Sequence, residues 1–94
     1  MGLTFKWDAK KAAANLRKHG VSFEEAASAF GDPLSLTISD PQHSGDEERY
    51  VLLSLTERHR LVVVAHTEEA DTVRIINARP AMPAERRDYE EGQG

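Results

Sequence analysis

Arginines in the second half of the chain are the side chains best suited to hold a phosphate. Arg74 interrupts the apolar run V-R-I-I, and a rigid strand would present its guanidinium as a fixed fork for phosphate oxygens. Arg79 follows close to the start of the last predicted helix. A salt bridge from Arg79 to Glu85 or Glu90 is an equally good interpretation. The spacing leaves both roles open.

Proton-transfer groups accompany these arginines. Cleavage of RNA without a metal ion needs a base for the ribose 2′-hydroxyl, an acid for the departing 5′-oxygen, and positive charge around phosphorus. Histidine is a residue type that can give or take a proton in such a reaction, which makes His66 a candidate. Glu85 and Tyr89 are further candidates for positioning or proton transfer. The alternative is that His66, near a strand end, only packs or donates a hydrogen bond.

The histidines do not have the spacing of a metal site. The four of them, His19, His43, His59 and His66, lack the i, i+4 pattern that brings two ligands to one helix face. The chain has no cysteine, so it has neither a thiolate nucleophile nor a disulfide. Glycine-rich phosphate loops and the G-x-S-x-G element are also missing. We therefore expect no metal and no cofactor.

Length and charge predict one small domain over residues 1–94. Its apolar runs are too short to span a bilayer and its start lacks a signal peptide, so a cytoplasmic protein is expected. The net charge is −4, which disfavours nonspecific duplex binding. Residues 1–20 nevertheless carry +4 and residues 21–57 carry −7. The basic segment could hold a short polyanion, or it could be a solvated helix surface.

Two helices are predicted at the start of the chain. Asp8 is a good N-cap for a helix that ends with Lys18, His19 and Gly20. A second helix begins at Ser22, which forms an S-x-x-E capping box with Glu25, and it stops at 31–33.

From residue 34 the apolar period changes from 3.6 to 2. Strands are predicted at 34–39, 48–55, 61–67 and 72–78, followed by a helix at 84–92. The apolar run at 61–67 predicts a central strand. The expected fold is α+β with the order ααββββα: helices packed on an antiparallel four-stranded sheet.

The register of the last two strands decides whether His66 and Arg74 can cooperate. In one hairpin register His66 lies opposite Arg74, and in the neighbouring register it lies opposite Val73 and points away. A slip of one residue reverses the face of every side chain. Both registers remain open.

Six motifs together resemble the BrnT toxins over nearly the whole chain. They are F-K-W-D at 5–8, K-x-x-x-N-x-x-K-H-G-V-S-F-E-E-A at 11–26, D-P at 32–33, E-R at 48–49, R-I-I-x-A-R at 74–79 and E-R-x-x-Y-E at 85–90. Two positions depart from the family pattern. Asn77 stands where serine is usual, and Met82 replaces the threonine before the last helix.

The resemblance implies a RelE-like fold and a ribonuclease toxin of a type II toxin–antitoxin pair. It further implies a partner similar to BrnA, which is a ribbon–helix–helix antitoxin. The toxin would then be brought to operator DNA only through this antitoxin. The catalytic candidates are His66, proposed from its residue chemistry alone, and four residues that match the family motifs, Arg74, Arg79, Glu85 and Tyr89. The RNA-binding candidates are Lys11, Lys18, His19, Arg49 and Arg86. An alternative is an inactive binding module that serves as co-repressor with the antitoxin.

Overall fold

The computed structural model describes residues 2–40 and 47–92. Its elements are β1 (Thr4–Lys6), α1 (Ala9–His19), α2 (Phe23–Ser28) with a 3-10 turn (Ala29–Gly31), β2 (Leu36–Ser39), β3 (Arg49–Leu55), β4 (Leu61–Glu69), β5 (Thr72–Pro80) and α3 (Pro83–Glu91). All predicted helices and strands are present, with small shifts at their ends. His43 and most of the predicted polar loop lie outside the described residues.

The sheet has five strands in the order β1-β5-β4-β3-β2, with β4 at its centre as predicted. Strands β2 to β5 form the expected antiparallel meander, and β1 pairs in parallel with β5. The predicted four-stranded antiparallel sheet is therefore wrong: the fold is α+β with a mixed sheet. Strand β1 was missed because three residues are too few to show a period-2 pattern.

The ends of α1 form as predicted. The Asp8 carboxylate accepts hydrogen bonds from the backbone N–H groups of Lys10 and Lys11, at 2.8 and 3.0 Å. Gly20 ends the helix in the left-handed region, with φ of 72°, which glycine adopts without the steric cost that other residues incur. These two caps define the ends of α1, the helix that carries the cationic side chains.

The capping box predicted for α2 forms only in part. The Ser22 hydroxyl accepts from the Glu25 N–H at 3.0 Å. The Glu25 side chain turns inward instead, and it accepts from Arg60 Nε and Nη2 at 2.8 and 2.6 Å and from the Thr56 hydroxyl at 2.8 Å. Arg60 Nη2 also donates to the Gly20 carbonyl at 2.8 Å. One buried carboxylate thus ties the α1–α2 corner to the β3–β4 turn.

The core lies between the sheet and the first two helices. Its fully buried members include Val21, Phe23, Ala26, Val62, Val64 and Ala78. The opposite sheet face is covered at one end by α3. None of the described helices has the length and apolar character needed to cross a membrane.

Candidate functional site

A β-bulge in β5 decides which way its polar side chains point. Ala65 of β4 pairs with Asn77, but the next residue, His66, pairs with Ile75, so Ile76 is the extra residue. Arg74 pairs with Thr67. Both registers offered from the sequence are therefore wrong. The connection at 70–71 between Glu69 and Thr72 sets the pairing of His66 with Ile75, and the inserted residue shifts only the pairs beyond it.

The bulge places Arg74 and Arg79 on one face of the sheet. Their partners on β4 are Thr67 and Val63, which are four residues apart and so share a face. In a regular strand, positions 74 and 79 would point to opposite faces because their separation is odd. The two arginines share the face that α3 partly covers, and they are held there by backbone pairing.

His66 points to the other face of the sheet, into the core. It is fully buried, and its Nε2 lies 2.9 Å from Glu68 Oε2 while its Nδ1 lies 3.2 Å from the Val64 carbonyl. The ring packs edge-on against Phe30 and stacks on Tyr50, with centroid distances of 4.8 and 5.9 Å. The structure does not bring His66 together with Arg74.

Helix α1 lies along the edge of β5 beyond the end of β1, and Asn15 holds it there. Its Oδ1 accepts from the Ala78 N–H at 3.1 Å, and its Nδ2 donates to the Ala78 and Val21 carbonyls at 2.8 and 2.9 Å. The side chain thus replaces a neighbouring strand at this edge. We assigned no role to Asn15 from the sequence, although a polar residue among the small apolar residues of α1 was a signal.

A depression of about 440 Å³ lies between α1 and β5. Its lining residues are Lys11, Ala14, Asn15, Lys18, His19, Ile76, Asn77 and Arg79. We call it the α1–β5 depression. Four of the predicted site residues meet here: Lys11, Lys18, His19 and Arg79. Within the described ranges neither lysine has an acidic partner at ion-pair distance. Both ammonium groups are exposed and available to an anion.

Arg79 is fixed at this site by Glu85. Its Nη1 and Nη2 donate to the two Glu85 carboxylate oxygens at 2.8 and 2.7 Å. Glu85 also accepts from the Met82 N–H at 2.8 Å, so it caps α3, a task Met82 cannot perform without a side-chain oxygen. The Arg79 hydrogen bonds lower the pKa of Glu85, and the Glu85 hydrogen bonds raise the pKa of Arg79. The salt bridge that we weighed for Arg79 is present, with Glu85 as its partner.

A second group of cations crosses the same sheet face. Its cations are Arg49 on β3, Arg74 on β5 and Lys6 on β1. Thr67 of β4 pairs with both arginines, and Lys6 pairs with Arg74. The Arg74 guanidinium is exposed and paired with Glu47. This row is separate from the α1–β5 depression, so the predicted RNA-binding and catalytic residues do not form one cluster.

Helix α3 carries the remaining predicted residues. Tyr89 is buried, and its hydroxyl donates to Asp32 Oδ2 at 2.6 Å, which anchors α3 to the residue that follows the 3-10 turn. Arg86 is exposed. Neither residue lines the α1–β5 depression. Among residues 2–40 and 47–92, no three His, Asp or Glu side chains are arranged to hold a metal ion.

Comparison with known proteins identifies one family. A family model described as the ribonuclease toxin BrnT of a type II toxin–antitoxin system matches residues 7–85. The fold is similar to the 1.1 Å crystal structure of the Brucella abortus ribonuclease toxin, BrnT, with a TM-score of 0.57 and 20% identity, over 85% of this chain and 97% of that one. Comparison with curated proteins gives no match.

Proposed function

Because this chain belongs to the BrnT family of ribonuclease toxins of type II toxin–antitoxin systems, we propose that it cleaves RNA without a metal ion and holds the scissile phosphate in the α1–β5 depression. The observation that carries the proposal is the meeting of Lys11, Lys18 and Arg79 around one open cavity. A chain with a net charge of −4 gathers positive charge at this surface. Backbone phosphates are the part of RNA that such a surface attracts.

The two kinds of cation have different tasks in this proposal. The flexible ammonium groups of Lys11 and Lys18 act as point charges that draw the strand into the depression. The Arg79 guanidinium is planar and already oriented by Glu85, so it can stabilise charge that develops on the phosphate oxygens during cleavage. A group that is aligned before the substrate binds needs no reorganisation in the transition state.

In this proposal His66 and Tyr89 stabilise the fold and do not contact RNA. His66 is fully buried, and the Tyr89 hydroxyl is engaged by Asp32. Arg74 and Arg49 lie on the open sheet face, where they could hold a more distant part of the same strand. The RelE-like fold that the family resemblance implies for this chain stays a prediction.

The antitoxin is proposed to be BrnA-like, a ribbon–helix–helix protein that alone contacts operator DNA. The α1–β5 depression offers it a simple way to neutralise the toxin. An acidic segment seated on Lys11, Lys18 and Arg79 would occupy the phosphate position.

We expect the purified chain to cleave RNA in a buffer that contains EDTA. Gel analysis of a labelled RNA transcript, with the all-DNA strand of the same sequence as control, measures this. Cleavage that needs an added divalent ion would contradict the metal-independent mechanism. Intact RNA, together with harmless expression of the chain alone, would favour the co-repressor module.

Replacing Lys11 and Lys18 by alanine tests where the RNA binds. Each substitution should lower RNA affinity and reduce the slope of log K against log salt by about 0.7, the value for one lost phosphate contact on a single strand. Fluorescence anisotropy over a salt series measures both quantities. Lys10→Ala and Arg17→Ala are matched controls, because both residues lie on α1 but do not line the depression. Equal effects in all four variants would mean that only overall charge matters.

A further inference from the structure

The histidines of the described ranges occupy three different environments. His66 is fully buried in the core. His59 lies in the exposed β3–β4 turn, where its backbone N–H donates to the Thr56 carbonyl at 2.9 Å. His19 is half-buried and lines the α1–β5 depression beside Lys18 and Arg79. Of these three histidines, only His19 lines the α1–β5 depression, where we place the phosphate.

The backbone holds His19 in a defined place. It is the last residue of α1, and the left-handed Gly20 turns the chain directly after it. The Gly20 carbonyl is held in turn by Arg60 Nη2 at 2.8 Å. Two anchors, the helix on one side and this hydrogen bond on the other, restrict the backbone position of His19 beside the depression. Catalytic groups need such positioning.

We propose that His19 is the catalytic base of RNA cleavage, an inference that rests on the proposed function. Its neutral imidazole accepts the proton of the ribose 2′-hydroxyl while O2′ attacks phosphorus. The O2′–P bond forms and the P–O5′ bond breaks, leaving a 2′,3′-cyclic phosphate. O5′ takes a proton from water, and the hydroxide so formed is neutralised by the proton that His19 releases.

The surrounding charges support this assignment. Lys11 and Lys18 from α1 and Arg79 from β5 already supply positive charge to the phosphate, whereas ammonium and guanidinium groups are poor bases near neutral pH. Glu85 lies behind Arg79, and its carboxylate oxygens accept from Arg79 and from the Met82 N–H. An imidazole titrates near neutral pH and is the remaining group suited to take a proton.

Replacing His19 by glutamine tests the role. We expect kcat for cleavage of a labelled RNA oligonucleotide to fall by about 100- to 10,000-fold. The RNA dissociation constant should change by less than about fivefold, because glutamine can still donate a hydrogen bond. In the wild type, kcat should rise with pH between about 5.5 and 7.5, and this rise should disappear in the variant. His59→Asn is the matched control, since His59 does not line the depression, and it should keep wild-type activity.

The outcomes separate this inference from the proposed function. A wild type that leaves RNA intact overturns both. A wild type that cleaves RNA, together with a His19→Gln variant that keeps its activity or loses affinity as much as kcat, overturns the base assignment alone. Should the variant fail to fold by circular dichroism, the wild-type profile decides: a kcat that stays flat over the same pH range also overturns it. Rescue of a His19→Ala variant by added imidazole would support the assignment.

Discussion

Replacing Arg79 by alanine should lower RNA cleavage by about 100- to 1,000-fold, the usual cost of removing one pre-aligned donor from a developing negative charge. The guanidinium is half-buried, fixed by two hydrogen bonds to Glu85, and faces the α1–β5 depression. Its removal takes away both the charge and the fixed fork. Single-turnover cleavage with saturating protein measures the effect on the chemical step.

Two further variants distinguish the contribution of the fork from that of the charge. Arg79→Lys keeps the charge but loses the planar geometry, so it should recover only part of the activity. Arg17→Ala removes a guanidinium from α1 outside the depression and should leave cleavage unchanged. The Arg79→Ala protein should remain folded, because Glu85 is 29% exposed and water can solvate its carboxylate. An Arg79→Ala variant with wild-type cleavage would place the phosphate elsewhere.

Replacing Arg60 by alanine should destabilise the chain, although Arg60 does not itself line the depression. The substitution leaves the Glu25 carboxylate, which is 5% exposed, with the Thr56 hydroxyl but without its charged partner. We expect a loss of about 2–3 kcal/mol, below the usual range for a broken buried pair because Arg60 itself is 42% exposed. For a domain of this size, that corresponds to a lower Tm by roughly 10 °C or more. Arg58→Ala, in the same turn, should have little effect.

The Arg60 effect should depend on pH in one direction. The Arg60 hydrogen bonds hold the pKa of Glu25 below its ordinary value of 4.5. The folded state therefore gains stability from the ionised carboxylate above that value, and loses this contribution as the pH falls through the lowered pKa. The Tm difference between wild type and Arg60→Ala should be full at neutral pH and should shrink in acid. A difference that grows on acidification would contradict this account.

Local features of the fold could be predicted from the sequence because their causes are local. Asp8 and Gly20 mark the ends of α1 through their own backbone and side-chain chemistry. The strands from residue 34 onward could be predicted from the alternation of their apolar and polar residues. Features set by distant partners could not be predicted in this way: Thr4–Lys6 becomes a strand only because residues 72–74 lie beside it.

The candidate site also combines features that could be predicted from local sequence with features that depend on distant partners. The cationic residues of α1 and β5 were recognised from their types and from the resemblance to a family. Their arrangement depended on Ile76, whose insertion no propensity signals, and on Asn15, whose partner is Ala78 across the fold. The pairing of Glu25 with Arg60 was missed for the same reason, since a capping box within α2 explained Glu25 from its neighbours alone.

The central claim is that an RNA phosphate binds in the α1–β5 depression. Nuclear magnetic resonance of the ¹⁵N-labelled chain tests it most directly, with a short RNA strand carrying 2′-O-methyl groups to prevent cleavage. We expect the largest shifts in the backbone amides of Lys18 and His19 and of residues 76–79, on both walls of the depression. Shifts confined to the apolar cavity beneath α3, around Leu36, Ile38 and Val51, with α1 unaffected, would contradict the claim.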